Sequence, residues 1–309
     1  MCCFAGPVKD VSNTQIFARL TGEGSQLLVY RMQFASEAEN AMILPLPVAT
    51  PAADDGVRFI DLKGYDDFFE DLESGFPVKP PFELVRSKGD MVAAASAAPQ
   101  LAVHEVGDYV ASFVPTISAF ERLDPRFRIA PDTWAKVPGY GDYGFAVFQL
   151  KQKAGRPHPM AFEFRTRLAE QTFFPTVHIH DGEVHAEEGF DHTLYLQSSA
   201  FDPMVGDYED HDVADDATGF VRSDRAAGLF VDTARAKGVV AGDLLVHKRE
   251  LRGTLPNADS VFGPPQASIV PRGVGRWGLP GAGVIAAAAG LGWVIARRRK
   301  LAREAKAES

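Results

Sequence analysis

Gln15-Ile-Phe-Ala-Arg-Leu20 and Leu27-Leu-Val-Tyr-Arg-Met-Gln-Phe34 are two largely apolar runs, separated by Thr21-Gly-Glu-Gly-Ser25. Short apolar runs rich in β-branched and aromatic residues, joined by Gly and Ser, read as two strands of a hairpin. The same pattern recurs in both directions. Ala41 to Val48 reads as a third strand, with Pro45 and Pro47 confining its far end to a sheet edge, since proline has no N–H to give to a ladder. Tyr109 to Val114, Phe145 to Lys151, Met160 to Arg165, Phe173 to His180, Leu194 to Gln197, Phe220 to Arg222, Leu229 to Val231 and Leu244 to Lys248 follow as further strands. Asp66 to Leu72 is amphipathic at helical spacing through Phe68, Phe69 and Leu72, and Ile117 to Leu123 reads as a turn or two of helix. The expected class is therefore mainly β or α+β: an antiparallel, sandwich-like soluble domain.

Residues 1–263 make up this domain, with a Pro/Ala-rich stretch near 88–99 as a candidate internal boundary. Residues 264–276 read as a Pro/Gly linker. Beyond it, Trp277 to Ala296 is a run of twenty residues with no charge, followed by Arg297, Arg298, Arg299 and Lys300. Twenty residues of helix span roughly 30 Å, the thickness of a bilayer core. Trp277 and Trp293 sit near its ends, where aromatic rings favour the interface. We expect a single transmembrane helix here, a basic tail over 297–309, and the lipid bilayer as a partner. Gly278, Ala282, Ala286 and Gly290 recur every four residues and would let two such helices approach as a homodimer. Sidedness draws on two opposing signals. The basic tail favours a cytoplasmic C-terminus with the domain outside. The opening residues show no signal peptide, which favours a tail anchor with the domain facing the cytoplasm, and that is the arrangement expected.

Charge is divided along the chain. Residues 271–309 hold eight basic and two acidic side chains, which is +6; the whole chain is −9, which leaves −15 on residues 1–270. A domain so acidic is repelled by phosphate backbones, so a nucleic-acid partner is not expected. The two cysteines are the adjacent Cys2 and Cys3, which exclude a disulfide framework or a zinc ribbon.

Thr176-Val-His-Ile-His-Asp-Gly-Glu-Val-His-Ala186 is the sharpest chemical signal. Asp-Gly between alternating runs suggests a two-residue hairpin turn. In that register His178, His180, Glu183 and His185 share one strand face, while Val177, Ile179, Val184 and Ala186 share the other. Three imidazoles and a carboxylate on one face could hold zinc or another divalent transition metal, with Glu183 as ligand or general base and His192 as a further ligand. The plainer reading is a polar outer face that happens to be made of His and Glu. Cys2, exposed as the N-terminal residue once Met1 is removed, could act as a nucleophile with its own amine as base, or be an ordinary thiol. Gly139-Tyr-Gly-Asp-Tyr-Gly144 matches a dinucleotide pattern but precedes a strand, so no helix N-terminus would meet a pyrophosphate.

Met1-Cys-Cys-Phe4, Asn40-Ala-Met-Ile-Leu-Pro-Leu-Pro-Val48, Phe59-Ile-Asp-Leu62, Tyr65-Asp-Asp-Phe-Phe-Glu-Asp-Leu72 and the terminal anchor together resemble an uncharacterised family of bacterial membrane-anchored proteins. The resemblance implies a membrane-anchored domain of unknown function and carries no catalytic residue across. Two classes of function remain in view: a binding or scaffold module, which the absence of a complete catalytic motif favours, and a metal-dependent, hydrolase-like enzyme centred on His178, His180 and His185.

Overall fold

The computed structural model of the chain describes residues 3–77, 103–129, 133, 139–203, 205–208 and 218–264. These all belong to the first of the two units into which the chain divides, Met1–Pro265. Cys2, the stretch near 88–99, the expected membrane span and the basic tail lie outside the described residues. Among the described residues no helix is long and apolar enough to cross a membrane.

In chain order the first strands are β1 (Cys3–Phe4), β2 (Asp10–Leu20), β3 (Ser25–Ala35), β4 (Asn40–Leu46) and β5 (Val57–Asp61). After helix α1 (Phe68–Ser74) come β6 (Val103–Val106), β7 (Tyr109–Val114), β8 (Gly144–Leu150), β9 (Ala154–Gly155) and β10 (Met160–Arg165). The last are β11 (Thr172–Phe174), β12 (Glu187–Gln197), β13 (Val221–Arg222), β14 (His247–Pro256) and β15 (Ser260–Phe262). The class is mainly β with little helix, as the alternating runs imply.

One sheet runs β13-β14-β12-β2-β3-β10-β5, with β9 added against β3; a second runs β1-β4-β8-β7-β6; β11 and β15 form a small ladder. The large sheet is mixed. Its β2–β12 pair is parallel, which corrects the expectation of a wholly antiparallel framework. No tight turn links these two strands, and a long connection is free to set either direction. The β2–β3 hairpin closes over Thr21–Ser25, where Thr21 N–H donates to the Ser25 carbonyl at 2.7 Å and Gly24 takes a φ of +74°. Pro45 lies beyond the two residues at which β1 pairs with β4, so its missing N–H interrupts nothing on that side.

The two large sheets share one core. Ile16, Leu28, Tyr30, Phe162 and Leu194 of the mixed sheet meet Met42, Leu44, Ala146 and Phe148 of the other. The far face of the mixed sheet is apolar along one row of paired residues, Tyr195, Phe17, Val29, Ala161 and Ile60. The α1 residues Phe68, Phe69 and Leu72 cover that row. A seven-residue helix does not hold itself together, but three fully buried apolar side chains contribute about 2 kcal/mol or more each. Under the other sheet, Cys3, Ile43 and Val147 pack against Phe120 and Phe127, which lie in 3-10 turns.

Two expected strands are not formed. Residues 227–229 make a 3-10 turn instead of a strand. The expected strand from Phe173 to His180 keeps its ladder only at Thr172–Phe174, with an isolated bridge from Ile179 to Cys3. Pro175 has no N–H, and side chains take the next three donors. Asp259 Oδ1 accepts from Thr176 N–H at 2.8 Å and Val177 N–H at 2.9 Å, and Asn257 Oδ1 accepts from His178 N–H at 2.7 Å.

Candidate functional site

The Asp181-Gly182 hairpin is likewise not formed. Residues 180–186 turn irregularly, with Asp181 Oδ1 accepting from Glu183 N–H at 2.9 Å and no ladder across the turn. Alternation survives in the extended piece before it. Val177 and Ile179 enter the core beneath the smaller sheet, and His178 faces the opposite way. His178 is fully buried, His180 is partly buried, and Glu183 and His185 are exposed.

The imidazoles that come together are therefore His178, His180 and His192. The His178 ring stacks on His192 at 5.1 Å and 13°, on His180 at 5.2 Å and 21°, and on Phe190 at 4.3 Å. His185 instead meets Asp181 at 3.1 Å, and that carboxylate raises its pKa. Stacked rings share faces rather than a common ligand, and among the described residues no three His, Cys, Asp or Glu side chains are placed to hold one metal ion. Burial drives the pKa of His178 far below the ordinary histidine value and that of His180 down to about 4.

A second constellation lies on the far face of the mixed sheet, where the apolar row gives way to a polar one. Glu250 pairs with Thr193, Thr193 with Gln15, and Gln15 with Arg31, in register across four strands. One step further, Arg252 pairs with Asp191. There β2 bulges between Ser12 and Gln15, and Asn13 takes a φ of +52°. Asn13 N–H donates to Asp191 Oδ2 at 2.6 Å, which holds the bulge to β12. Helix α1 walls this face with Glu70 and Glu73. The result is a groove of about 310 Å³ whose lining includes Thr14, Glu70, Glu73, Arg156, Asp191, Lys248, Glu250 and Arg252.

Ion pairs organise the groove. Arg31, almost fully buried, donates through Nε and Nη2 to Gln15 Oε1, pairs with Glu70 at 2.8 Å and lies 4.9 Å from the Phe69 ring centroid. Arg156 holds the other Glu70 oxygen at 2.9 Å. Burial alone would raise the Glu70 carboxyl; the guanidiniums of Arg31 and Arg156 hold it below the usual carboxylate range. Burial also lowers Arg31 from its ordinary value. Glu73 accepts from the Tyr195 hydroxyl at 2.6 Å and from Lys248 Nζ at 2.5 Å. Burial, reinforced by the Glu73 charge, keeps Tyr195 protonated. Sequence reading missed this groove. The available signal was Lys248-Arg-Glu-Leu-Arg252, whose charges at every second position mark a strand face left open to water.

No family model matches the chain, and no curated protein matches it significantly. Among solved structures it is similar to the crystal structure of baculovirus P35, with a TM-score of 0.44 and 13% identity over 86% of this chain and 100% of that one. It is similar as well to the caspase-8/P35 complex, with a TM-score of 0.39 and 13% identity over 82% of this chain and 96% of that one. Likeness at these scores bears on no function.

Proposed function

We propose that the protein is a binding or scaffold module carried on a membrane, presenting the groove beside α1. The groove's preset ion pairs carry this reading. Glu70 is fixed between Arg31 and Arg156, and Glu73 between Tyr195 and Lys248. A charged surface already held in one geometry loses little freedom when a ligand arrives, which favours recognition. The two layers sharing one core support a sandwich-like framework stiff enough to present it. Membrane carriage is supported by the uncharged run from Trp277 to Ala296 with its basic stop, and by the resemblance to a membrane-anchored bacterial family.

The test uses the full chain in detergent, probed against an array of peptides and small charged compounds. The expected result is retention on some spots by the wild type and its loss in an Asp191→Asn/Glu250→Gln variant, in which position 191 still accepts from Asn13 N–H and the melting temperature is unchanged. Equal retention by both, or none by the wild type, overturns the reading.

A further inference from the structure

We infer that the stretch following β12 is a proton-operated strap: one proton held between Asp202 and His247 locks it, and with it an aromatic wall of the cavity beside α1. The course of the strap sets what it can do. Phe201 and Val205 pack into the core shared by the two large sheets, while Tyr208 packs into the core on the far face of the mixed sheet. Between them the chain passes the β13 end of that sheet. There Arg222 N–H donates to the Gly206 carbonyl at 2.9 Å, and Arg222 Nε donates to the Val205 carbonyl at 3.0 Å. Tyr208 meets the Phe76 ring at 5.9 Å, and Phe76 lines a cavity of about 480 Å³ together with Phe69, Glu70 and Glu73.

His247 and Asp202 face each other where the strap leaves the shared core. His247 opens β14, is fully buried, and lies 5.6 Å from the Phe201 ring. Its Nδ1 is 3.2 Å from the Leu196 carbonyl, which can only accept, so the neutral ring carries its proton on Nδ1. That leaves a lone pair on Nε2. Nε2 faces Asp202 Oδ1 at 3.3 Å, and neither atom has a hydrogen-bond partner among the described residues. With Asp202 ionised, two acceptors are opposed and repel. A proton taken up from water by Asp202 Oδ1 turns the contact into an O–H···N hydrogen bond, away from competing solvent.

The proton belongs on the carboxyl. Burial raises Asp202 above its ordinary 3.8, and burial lowers His247 to about 4. Arg222 reaches the pair from β13 and opposes protonation of both, but its guanidinium is also drawn to Asp207, 3.9 Å away. A group raised in the fold contributes stability below its unfolded value and loses it as pH rises through the folded one, so the lock forms on acidification. It does not depend on what the groove binds.

Hydrogen exchange of the full chain at pH 7, 6 and 5, with each rate divided by the unstructured rate at that pH, is the test. From pH 7 to 5, protection over 199–203 and 205–208 should rise about tenfold, the worth of one hydrogen bond, with no such rise in β2 and β3. The amides of Gly75 and Phe76 should gain in parallel. Asp202→Asn sets a permanent N–H donor opposite Nε2, so protection should be high already at pH 7 and indifferent to pH. His247→Phe keeps a ring against Phe201 but offers no acceptor, and should leave protection low and flat. Asp202→Ala, at a partly exposed position, should do the same and serves if the phenylalanine variant does not fold. No rise in the wild type, a rise that leaves Gly75 and Phe76 flat, or one that persists undiminished in Asp202→Asn overturns the inference.

Discussion

Arg31 shows how a residue can lie in a legible strand while its role stays hidden. The run Leu27 to Phe34 reads as a strand, but nothing local says that Gln15 and Glu70 close over Arg31. Those partners come from β2 and α1, and only the strand register and helix docking bring them together. Replacing Arg31 with Met takes the donor from Gln15 Oε1 but leaves a half-exposed Glu70 still held by Arg156, so it should cost about 1–2 kcal/mol. Glu70→Gln leaves the almost fully buried Arg31 guanidinium without its carboxylate and should cost more, about 3 kcal/mol. Urea unfolding of the two variants checks the asymmetry. Two histidines, His180 of the stack and His247 beside Phe201, give a second prediction at this scale. Burial holds His180 and His247 at about 4, against an unfolded value of 6.5. As pH falls from about 6.5 to 4 the unfolded chain takes up protons that the fold refuses, so stability falls, by up to about 3 kcal/mol for each histidine. Asp259 works the other way. Burial raises its carboxyl from 3.8 to about 6, so its contribution is present below about 4 and is lost as pH rises through 6. Calorimetry between pH 7 and 4.5 should show the melting temperature falling on acidification, less steeply in His180→Phe and more steeply in Asp259→Asn.

At the scale of elements, legibility followed locality. The β2–β3 hairpin, β7, β10 and α1 are each specified by their own alternation or helical spacing, and they lie where the pattern places them. The stretch from Phe173 to His180 alternates just as well but forms almost no ladder, because its donors are taken by Asn257 and Asp259 some eighty residues away. No local pattern announces that competition. The same fact explains why the expected histidine face does not assemble: without a ladder across Asp181-Gly182, His185 is not held opposite His178. Asn257 is the pin. Its Oδ1 accepts from His178 N–H at 2.7 Å, and its Nδ2 donates to the carbonyls of His178 and His185 at 3.0 Å each. Asn257→Ala removes all three bonds, and at about 1 kcal/mol each should lower stability by about 2–3 kcal/mol. Local opening is the sharper readout. Hydrogen exchange should accelerate over 176–186 while β2 and β3 stay protected; uniform acceleration would mean that the segment is part of the global unit rather than pinned to it.

For the whole molecule, layering was legible and placement was not. Period-two patterning specifies that sheets bury one face or both, which is enough to expect stacked layers. It does not say that the far face of the mixed sheet is apolar in one row and ionic in the next, because that boundary is a property of register across four strands. In any single run the groove therefore had only a partial signature, the charges at every second position from Lys248 to Arg252. Charge is the other whole-molecule property: −15 over residues 1–270 against +6 over 271–309. An anionic lipid surface would attract the second part and repel the first, which would hold the acidic unit and its groove away from the headgroups. If Trp277 to Ala296 spans the bilayer, carbonate at high pH should leave the full chain in the membrane pellet, and a chain truncated after Gly275 should move to the supernatant. The control separates a span from electrostatic adhesion. Replacing Arg297, Arg298, Arg299 and Lys300 with glutamine should leave a spanning helix in the pellet, since burying about twenty apolar residues does not depend on those charges, but should release a protein held only by its basic tail. In the retained case, Ala286→Leu should reduce chemical cross-linking between copies if the small-residue stripe pairs two helices. Release of the full chain by carbonate alone would remove the membrane from the proposed function and leave the groove as a binding surface on an unanchored protein.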